Sequence, residues 1–357
     1  MDDSYCRMIA DVKQKKSISL NELETILRDL DKTHEAQLFA AAREVAEESF
    51  QHQVFLRGLV EFTNYCKNDC YYCGIRCGNR RAERYRLSEE EILRCCENGA
   101  ALGFRTFVLQ GGEDAFYTDG MICRIIEQIK RRHPECAVTL SIGERSRESY
   151  RRYFESGADR YLLRQETAND AHYGQLHPPA MDGAHRKQCL WDLKEIGYQV
   201  GCGFLVGTPG QTVTHLFEDL AFMQELEPQM IGIGPFLAHQ DTPFAKEPDG
   251  SVEETLRLLA VLRLLFPKGL LPATTALGTA DPKGREKGIL AGANVLMPNL
   301  SPGEVRGKYL LYDGKICTGE EAAECVGCLA ERIEAIGYRI SMSRGDHPDF
   351  AEGFLPS

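Results

Sequence analysis

The sequence predicts an α/β protein built on a single TIM (β/α)8 barrel, with a helical cap before the barrel and an extension after it. Short β-rich runs alternate with helical stretches, an order that favours a parallel sheet with right-handed crossovers. Eight such runs can close into a barrel. No linker rich in Pro, Gly or Ser divides the 357 residues. An open doubly wound sheet remains the alternative that this pattern leaves open.

The strand and helix candidates follow one another regularly after the first fifty residues. The predicted strands are residues 55–62, 106–110, 138–142, 160–164, 199–206, 230–236, 271–276 and 294–297. The predicted helices between them are residues 88–102, 120–132, 145–156, 183–196, 212–226, 252–266 and 282–291. Ser88 followed by Glu91 fits a capping box at the start of the first of these helices. Gly157, Gly197 and Gly292 stand where helices are expected to end.

Three segments are expected along the chain. Residues 1–52 form an N-terminal helical extension, in which residues 19–50 carry apolar side chains at the spacing of two amphipathic helices. Residues 53–300 form the barrel. Residues 301–357 form a C-terminal extension packed on it.

Composition limits the classes of function. The formal net charge of -11 argues against a broad nucleic-acid interface, which needs a basic surface. No apolar stretch is long enough for a secretory signal or a membrane span, so we expect a cytoplasmic protein that binds no membrane. In a reducing compartment the 14 cysteines stay free of disulfides, and their clustering indicates metal binding or catalysis.

The strongest cysteine pattern is C-x3-C-x2-C, formed by Cys66, Cys70 and Cys73 directly after the first predicted barrel strand. Three thiolates can hold three irons of a four-iron cluster and leave the fourth iron open to another ligand. A closed ferredoxin or structural zinc site would need a fourth ligand, which the nearby Cys77 could supply. The spacing alone keeps both alternatives.

Two further groups stand at the ends of predicted strands. Gln110, Gly111, Gly112 and Glu113 follow the second strand, where glycine lets the backbone approach a ligand and a carboxylate suits an ammonium. Arg164 and Glu166 follow the fourth strand. The carboxyl ends of barrel strands face the mouth where TIM-barrel enzymes place their chemistry. The alternatives are a simple turn for the first group and a structural ion pair for the second.

The cysteine spacing, with Tyr72 just before the last cysteine, resembles the signature of radical S-adenosylmethionine (SAM) enzymes, and residues 110–113 resemble their GGE element. Residues 141–145, 161–167, 203–211, 272–278 and 293–299 are similar to the FeFe-hydrogenase maturase HydE family, from about residue 55 onward. The resemblance implies a 4Fe–4S cluster and SAM as cofactors. It also implies cleavage of SAM to methionine and a 5′-deoxyadenosyl radical inside a dry barrel.

The resemblance also implies roles for individual residues. Those expected on the SAM side of the cavity are Tyr72, Gln110, Gly111, Gly112, Glu113, Ser141, Arg164, Glu166 and Arg186. Those expected to contact substrate or an anion are Thr274 and Thr275, deeper in the barrel, and Tyr309, which projects into the cavity from its lid. From the residues alone, Thr274 and Thr275 would be ordinary β-branched strand positions.

A second cysteine group, Cys317, Cys325 and Cys328, has C-x7-C-x2-C spacing in the C-terminal extension. This spacing suits an auxiliary 2Fe–2S or 4Fe–4S cluster near the surface. Free thiols on a C-terminal helix are the alternative. Some relatives carry this second site and others lack it, so the resemblance implies that the core reaction does not require it.

The implied function is action of the radical on an iron-bound cysteine in a carbonyl and cyanide complex during assembly of the hydrogenase cluster. Transient contacts with the maturases HydG and HydF are implied as well. One alternative is a radical SAM mutase or sulfur-insertion enzyme of the methylornithine synthase or biotin synthase type. A second is a protein that carries iron–sulfur clusters without catalysis.

Overall fold

The computed structural model describes residues 4–319 and 326–351. The strands are β1 (Gln53–Leu56), β2 (Gly58–Thr63), β3 (Thr106–Gly111), β4 (Ala137–Ser141), β5 (Arg160–Leu162), β6 (Gln199–Cys202), β7 (Leu205–Val206), β8 (Met230–Ile231), β9 (Gly234–Pro235), β10 (Val295–Leu296) and β11 (Arg339–Ser341). The first eight helices are α1 (Ser4–Lys15), α2 (Leu20–Arg28), α3 (Lys32–Phe50), α4 (Glu89–Ala101), α5 (Asp119–Arg132), α6 (Arg147–Glu155), α7 (Asp170–Leu176) and α8 (Gly183–Ile196). The others are α9 (Val213–Leu226), α10 (Val252–Leu265), α11 (Thr275–Ala280), α12 (Gly284–Leu290), α13 (Gly303–Arg306), α14 (Val326–Glu334) and α15 (Pro348–Ala351).

The strands form a closed parallel ring, which confirms the predicted barrel. Strands β2, β3, β4, β5, β6 and β8 lie side by side in that order, all parallel. On the other side β1 pairs with β10. A parallel bridge between Leu59 and Asn299 joins β2 to the chain after β10, and single parallel bridges of Leu270 to Met230 and of Pro272 to Val295 close the ring between β8 and β10. Helices α4, α5, α6, α8, α9 and α10 lie between successive strands of the ring, as parallel neighbours need a crossover connection.

The predicted strand over residues 271–276 is wrong in extent. In its place, Leu270 and Pro272 make single parallel bridges to Met230 and Val295, and the chain then turns into α11. Proline has no backbone N–H to donate to a ladder. Thr274 caps the following helix, because its side chain accepts a hydrogen bond from the backbone N–H of Leu277.

Two other predicted strands are each divided into a pair of short strands. Residues 199–206 become β6 and β7, and residues 230–236 become β8 and β9. A Cβ at Gly203 would lie 2.0 Å from the carbonyl oxygen of Gly232. The two backbones approach closely because neither residue has a side chain between them.

The N-terminal segment contains three helices where the sequence predicted two. Helix α1 was not predicted, because only Ile9 and Val12 of its residues are buried. Helices α1 and α3 pack on α10, and α2 packs on α9 and α10. Arg257 joins α10 to the N-terminal helices. Its guanidinium is 2.8 Å from Glu35 of α3 and donates to backbone carbonyls at the end of α2.

Residues 301–319 cross the barrel mouth, whereas β11 adds to the opposite end by pairing with β1. The backbone N–H groups of Gly74 and Asp313 bond to the carbonyls of Leu311 and Ala238, which attaches this crossing segment to two loops of the mouth. Within the described residues, no helix is long and apolar enough to cross a membrane.

Candidate active site

A cavity of about 300 Å³ lies inside the barrel at the carboxyl ends of the strands. Its lining includes every site residue predicted outside the C-terminal cysteine group. These are Cys66, Cys70, Tyr72, Cys73, Gln110, Gly111, Gly112, Glu113, Ser141, Arg164, Glu166, Arg186, Thr274, Thr275 and Tyr309. A larger pocket of about 530 Å³ lies on the outer surface between α2, α9 and α10, and it is lined by no cysteine and none of these residues.

The three cysteines lie on a loop whose shape is held by one arginine. The Arg84 guanidinium donates to the backbone carbonyls of Asn64, Ile75, Arg76 and Asn79. Since carbonyl groups in a loop lack the partners that a helix or strand would supply, one planar cation with five N–H donors can satisfy several of them. Sequence analysis missed Arg84, which resembles any other residue of a basic stretch.

The three thiols of this loop lie in surroundings that raise their pKa values, so that a metal cation would be needed to stabilise their thiolate forms. Burial raises the pKa of the Cys66 thiol, raises that of Cys70 well above its usual value and raises that of Cys73 to about 12. Repulsion from the neighbouring thiolates adds to the rise in pKa at Cys70 and Cys73. Thiolates bind metal only when deprotonated, so iron at this position would supply the missing positive charge.

The described residues contain no group of three or more His, Cys, Asp or Glu side chains close enough to hold a single metal ion. Four thiolates around one zinc would lie within about 4 Å of one another. Ligands of a multi-iron cluster lie farther apart, because each binds a different metal atom. The four-ligand zinc site that Cys77 could complete is therefore not formed among the described residues.

Glu113 connects the cysteine loop to the cavity. Its backbone N–H donates to Cys66 Sγ at 3.4 Å, and its Oε1 accepts from the backbone N–H of Glu144 at 3.0 Å. Lys67 Nζ lies 3.1 Å from Oε2. Gly112 is needed beside it, because a Cβ there would lie 2.2 Å from the carbonyl oxygen of Tyr65. A buried carboxylate facing the cavity fits the ammonium group of a methionyl ligand.

Arg164 and Glu166 form the ion pair that the sequence left open, and they also lie at the barrel mouth. They make an ion pair of 3.0 Å, and they also line the cavity. Glu166 adopts a left-handed backbone conformation with φ of 66°, and its buried Oε2 accepts no hydrogen bond within the described chain. A buried carboxylate oxygen without a partner fits a ligand donor such as a hydroxyl.

Arg186 spans the space between these carboxylates. It donates to the carbonyl of Arg164 and to Glu144 Oε1, both at 2.7 Å, and lies 3.9 Å from Glu113 Oε1. Burial lowers the pKa of Arg186, but Tyr173 and Glu144 outweigh that effect and hold its pKa well above the usual value. The guanidinium therefore stays charged inside the cavity wall.

Tyr72 is oriented by a histidine to which sequence analysis assigned no role. The Tyr72 hydroxyl lies 3.1 Å from His177 Nε2, while His177 Nδ1 lies 3.0 Å from the carbonyl of Tyr173. Because that carbonyl can only accept, Nδ1 carries the proton and Nε2 accepts from Tyr72. Burial lowers the pKa of His177 to about 3, which keeps the ring neutral.

The opposite wall contains a buried ion pair that the sequence did not reveal. Lys315 Nζ lies 2.6 Å from Glu61 Oε1, and Asn299 donates to Glu61 Oε2 at 2.8 Å. Lys315 also donates to the carbonyl of Tyr309 and lies 4.9 Å from the centre of its ring. Both charged side chains line the cavity together with Tyr309 and Thr274.

The two described cysteines of the C-terminal group, Cys317 and Cys328, do not line this cavity. Cys317 is half-buried, with Arg285 Nη2 3.2 Å from its Sγ, and Cys328 is exposed on α14. Cys325 falls outside the described residues. The predicted auxiliary site therefore stays a prediction.

Comparison with known proteins agrees with this geometry. A model of the radical SAM superfamily matches residues 60–223. The maturase subunit HydE of Thermotoga maritima is 42% identical over 333 residues, 93% of this chain and 95% of that protein. The chain belongs to the HydE family of radical SAM enzymes. A 3-methylornithine synthase of Methanosarcina barkeri is similar at a lower 31% identity, over 89% of each chain.

Solved structures place the HydE-family chain in the same fold group. The crystal structure of the methylornithine synthase PylB matches with a TM-score of 0.82, 28% identity and coverage of 97% of this chain and 99% of that one. The maturase HydG matches with a TM-score of 0.79, covering 95% of this chain and 76% of that one, but at 22% identity it supports the fold alone. Membership of the radical SAM superfamily implies a 4Fe–4S cluster and SAM.

Proposed function

We propose that this chain acts in FeFe-hydrogenase maturation, with Cys66, Cys70 and Cys73 holding the 4Fe–4S cluster at which SAM is cleaved. The observation that carries the proposal is the cavity that brings these thiols together with Glu113, Arg186 and the other polar residues of the barrel mouth. When bound, the cluster and SAM supply a 5′-deoxyadenosyl radical.

The chain's own residues bind and orient the cofactor. The Glu113 carboxylate accepts hydrogen bonds from the methionyl ammonium of SAM. Arg186 and the backbone N–H of Glu144 hold the Glu113 side chain in place. Glu166 Oε2 accepts a hydrogen bond from the bound nucleoside, and Tyr72, Gln110 and Ser141 complete this side. Segment 301–319 crosses the mouth and limits the entry of water, which would otherwise quench a radical.

The substrate occupies the deeper part of the cavity, near Thr274, Thr275 and Tyr309. We propose a small, anionic iron complex carrying cysteine, carbonyl and cyanide ligands, whose sulfur the radical attacks. Lys315 and Arg164 supply positive charge for such an anion. Cys317, Cys325 and Cys328 hold an auxiliary cluster. HydG supplies the iron complex and the product moves toward HydF, each through a transient contact.

The test is anaerobic reconstitution with iron and sulfide, reduction with dithionite and chromatographic detection of 5′-deoxyadenosine. We expect Cys70→Ala to abolish the product and Cys77→Ala, an exposed thiol of the same loop, to retain it. Cys325→Ala should retain most of it, because the auxiliary site is not needed for cleavage. Full cleavage by Cys70→Ala would contradict the assignment of the cluster ligands.

The maturation role needs a separate measurement. Hydrogenase produced anaerobically with HydF, HydG and this protein should be active, and omission of this protein or use of Cys70→Ala should remove the activity. Formation of 3-methylornithine by the wild-type protein, without any effect on hydrogenase, would instead assign it to the methylornithine synthase group.

A further inference from the structure

Glu166 has a backbone conformation that is rare for its residue type. Its φ of 66° lies in the left-handed region, where a residue with a Cβ is strained and persists only if the surrounding contacts hold it. Glu166 belongs to residues 165–168, between β5 and α7, which we call the Glu166 segment. Neighbouring groups must therefore fix this segment in place.

A single buried carboxyl group binds the Glu166 segment at two points. Asp219 Oδ1 accepts a hydrogen bond from Gln165 Nε2 at 3.1 Å and another from the backbone N–H of Ala168 at 2.8 Å. Asp219 lies on α9 and is fully buried. Because the two donors lie on either side of Glu166 in the chain, one oxygen atom of Asp219 fixes both flanks of Glu166.

Gln165 extends this contact to the backbone beside β6. Its side chain is buried, and its Oε1 accepts from the backbone N–H of Gly203 at 2.9 Å. The carbonyl of the same Gly203 accepts from the backbone N–H of Glu166 at 3.1 Å. Helix α9, the Gln165 amide and Gly203 therefore form one hydrogen-bonded network around Glu166.

The network controls a side chain that faces the cavity. Glu166 lines the cavity, whereas Asp219 and Gln165 do not. Glu166 Oε1 accepts from Arg164, and the buried Oε2 accepts no hydrogen bond within the described residues. Asp219 can therefore influence a ligand of this cavity only through the residues that it holds.

Packing alone does not account for a carboxyl group at position 219. Asp219 Oδ2 is buried and makes no hydrogen bond within the described residues, and burial raises the pKa of Asp219 to about 8. Apolar side chains in place of both Asp219 and Gln165 would avoid the desolvation of these polar groups at little loss of stability. The observed pair instead supplies a directional contact to the Glu166 segment.

We propose that Asp219 is a positioning residue for SAM, which acts through Gln165 and Ala168 to hold Glu166 where its Oε2 meets the bound nucleoside. This inference rests on the proposed function, in which Glu166 accepts a hydrogen bond from SAM. Since the segment is fixed before SAM arrives, no binding free energy is needed to order the Glu166 carboxylate.

The first measurement is the Kd for SAM of the full-length reconstituted protein, in anaerobic calorimetric titrations with iron content checked for each variant. Asp219→Leu removes the acceptor and should raise Kd about tenfold, which corresponds to about 1.4 kcal/mol. Asp219→Asn keeps an acceptor oxygen and should stay within about twofold of the wild type. Gln165→Met breaks the same network from its other side and should match Asp219→Leu, so it serves if Asp219→Leu does not fold.

The matched control is Met223→Ala, which creates a cavity one turn farther along α9 at a buried residue that does not line the SAM cavity. It should destabilise the fold and leave the Kd for SAM within about twofold of the wild type. An equal loss of SAM affinity in Met223→Ala and Asp219→Leu would show general damage to α9 and overturn the positioning role.

The second measurement is the kinetics of SAM cleavage with dithionite as reductant. Asp219→Leu should raise KM for SAM about tenfold and keep kcat within about twofold, because the cluster cysteines and Glu113 are unchanged. A lower kcat with an unchanged KM would overturn the positioning role.

The third measurement tests whether Asp219 acts through Glu166. Glu166→Ala should itself weaken SAM binding, and Asp219→Leu added to it should cause a further loss of less than about twofold. Fully additive losses, or normal SAM affinity in Glu166→Ala, would overturn the proposal. Normal affinity in Asp219→Leu would overturn the positioning role alone, whereas no SAM binding by the wild type would refute the proposed function itself.

Discussion

Lys315 Nζ lies 2.6 Å from Glu61 Oε1 inside the barrel, although 254 positions separate the two residues in the chain. Burial raises the pKa of Glu61, and the nearby Lys315 opposes that rise and favours the ionised carboxylate. The side chains are 5% and 1% exposed, so neither charge can be solvated by water. The pair therefore attaches the segment across the mouth to strand β2.

We expect Lys315→Met to destabilise the protein by about 3–5 kcal/mol, because it leaves the Glu61 carboxylate buried without its cation. The double substitution Lys315→Met with Glu61→Gln should recover most of that loss. The free energy of unfolding in anaerobic urea titrations measures both. Losses that simply add in the double variant would show that the two side chains do not interact.

Arg84→Met should loosen the cluster loop, because the backbone carbonyls of Asn64, Ile75, Arg76 and Asn79 lose their shared donor. Each carbonyl left without a partner costs about 1–3 kcal/mol. The measurement is iron bound per chain after reconstitution, which should fall well below the wild-type value. Arg80→Met, an exposed arginine of the same loop, should bind iron normally. Equal iron in the two variants would contradict the role of Arg84.

Gly143→Ala should impair SAM binding. Gly143 has φ of 73°, and a Cβ there would lie 2.1 Å from Glu113 Cγ. The strain of about 1–3 kcal/mol, together with displacement of Glu113, should raise KM for SAM about tenfold or more. Gly174→Ala is the control, since a Cβ at Gly174 meets nothing within 4 Å. An unchanged KM for SAM with normal iron content would contradict a role of Glu113 in SAM binding.

His177→Phe should weaken SAM binding several-fold by removing the acceptor that orients Tyr72. A phenylalanine can keep the ring stacking on Tyr173, in which the centroids are 4.0 Å apart. The lost hydrogen bond is worth about 1 kcal/mol, or about fivefold in the dissociation constant. Tyr72→Phe should have a similar effect, and the double variant should be little worse than either single one. Fully additive losses of SAM affinity in calorimetric titrations would show that Tyr72 and His177 act independently.

Asp219→Asn should change how stability depends on pH. Burial raises the pKa of Asp219 to about 8, above the ordinary 3.8, so the folded chain keeps a proton that the unfolded chain has released. Between these values the wild type loses about 1.4 kcal/mol per pH unit through this group as the pH rises. The amide that replaces the carboxyl group has no such proton to release.

The Asp219→Asn variant should therefore gain stability relative to the wild type from about pH 5 to about pH 8. The asparagine oxygen can still accept from Gln165 and from the backbone N–H of Ala168, as Asp219 does at 3.1 and 2.8 Å. Unfolding free energies at several pH values measure the difference. A constant difference between the two proteins across this range would contradict a protonated Asp219.

Local patterns in the sequence predicted the barrel and most of the cavity. The alternation of strands and helices is a property of successive short segments, and Ser88 with Glu91 makes the predicted capping box. Where the prediction of residues 271–276 was wrong, β-branched residues favoured a strand, but Pro272 and the cap at Thr274 produced a helix start instead.

The sequence by itself determined the cysteine loop, because its three thiols lie within eight consecutive residues. It also determined the strand-end motifs, since the ends of parallel strands must meet at one mouth. Only the tertiary structure decided the partners of Glu61, Tyr72 and Arg84. The partners of Glu61 and Tyr72 lie 254 and 105 positions away in the chain, whereas those of Arg84 lie 5 to 20 positions away along an irregular loop. A lysine, a histidine or an arginine has no local pattern that distinguishes a buried position from an exposed one.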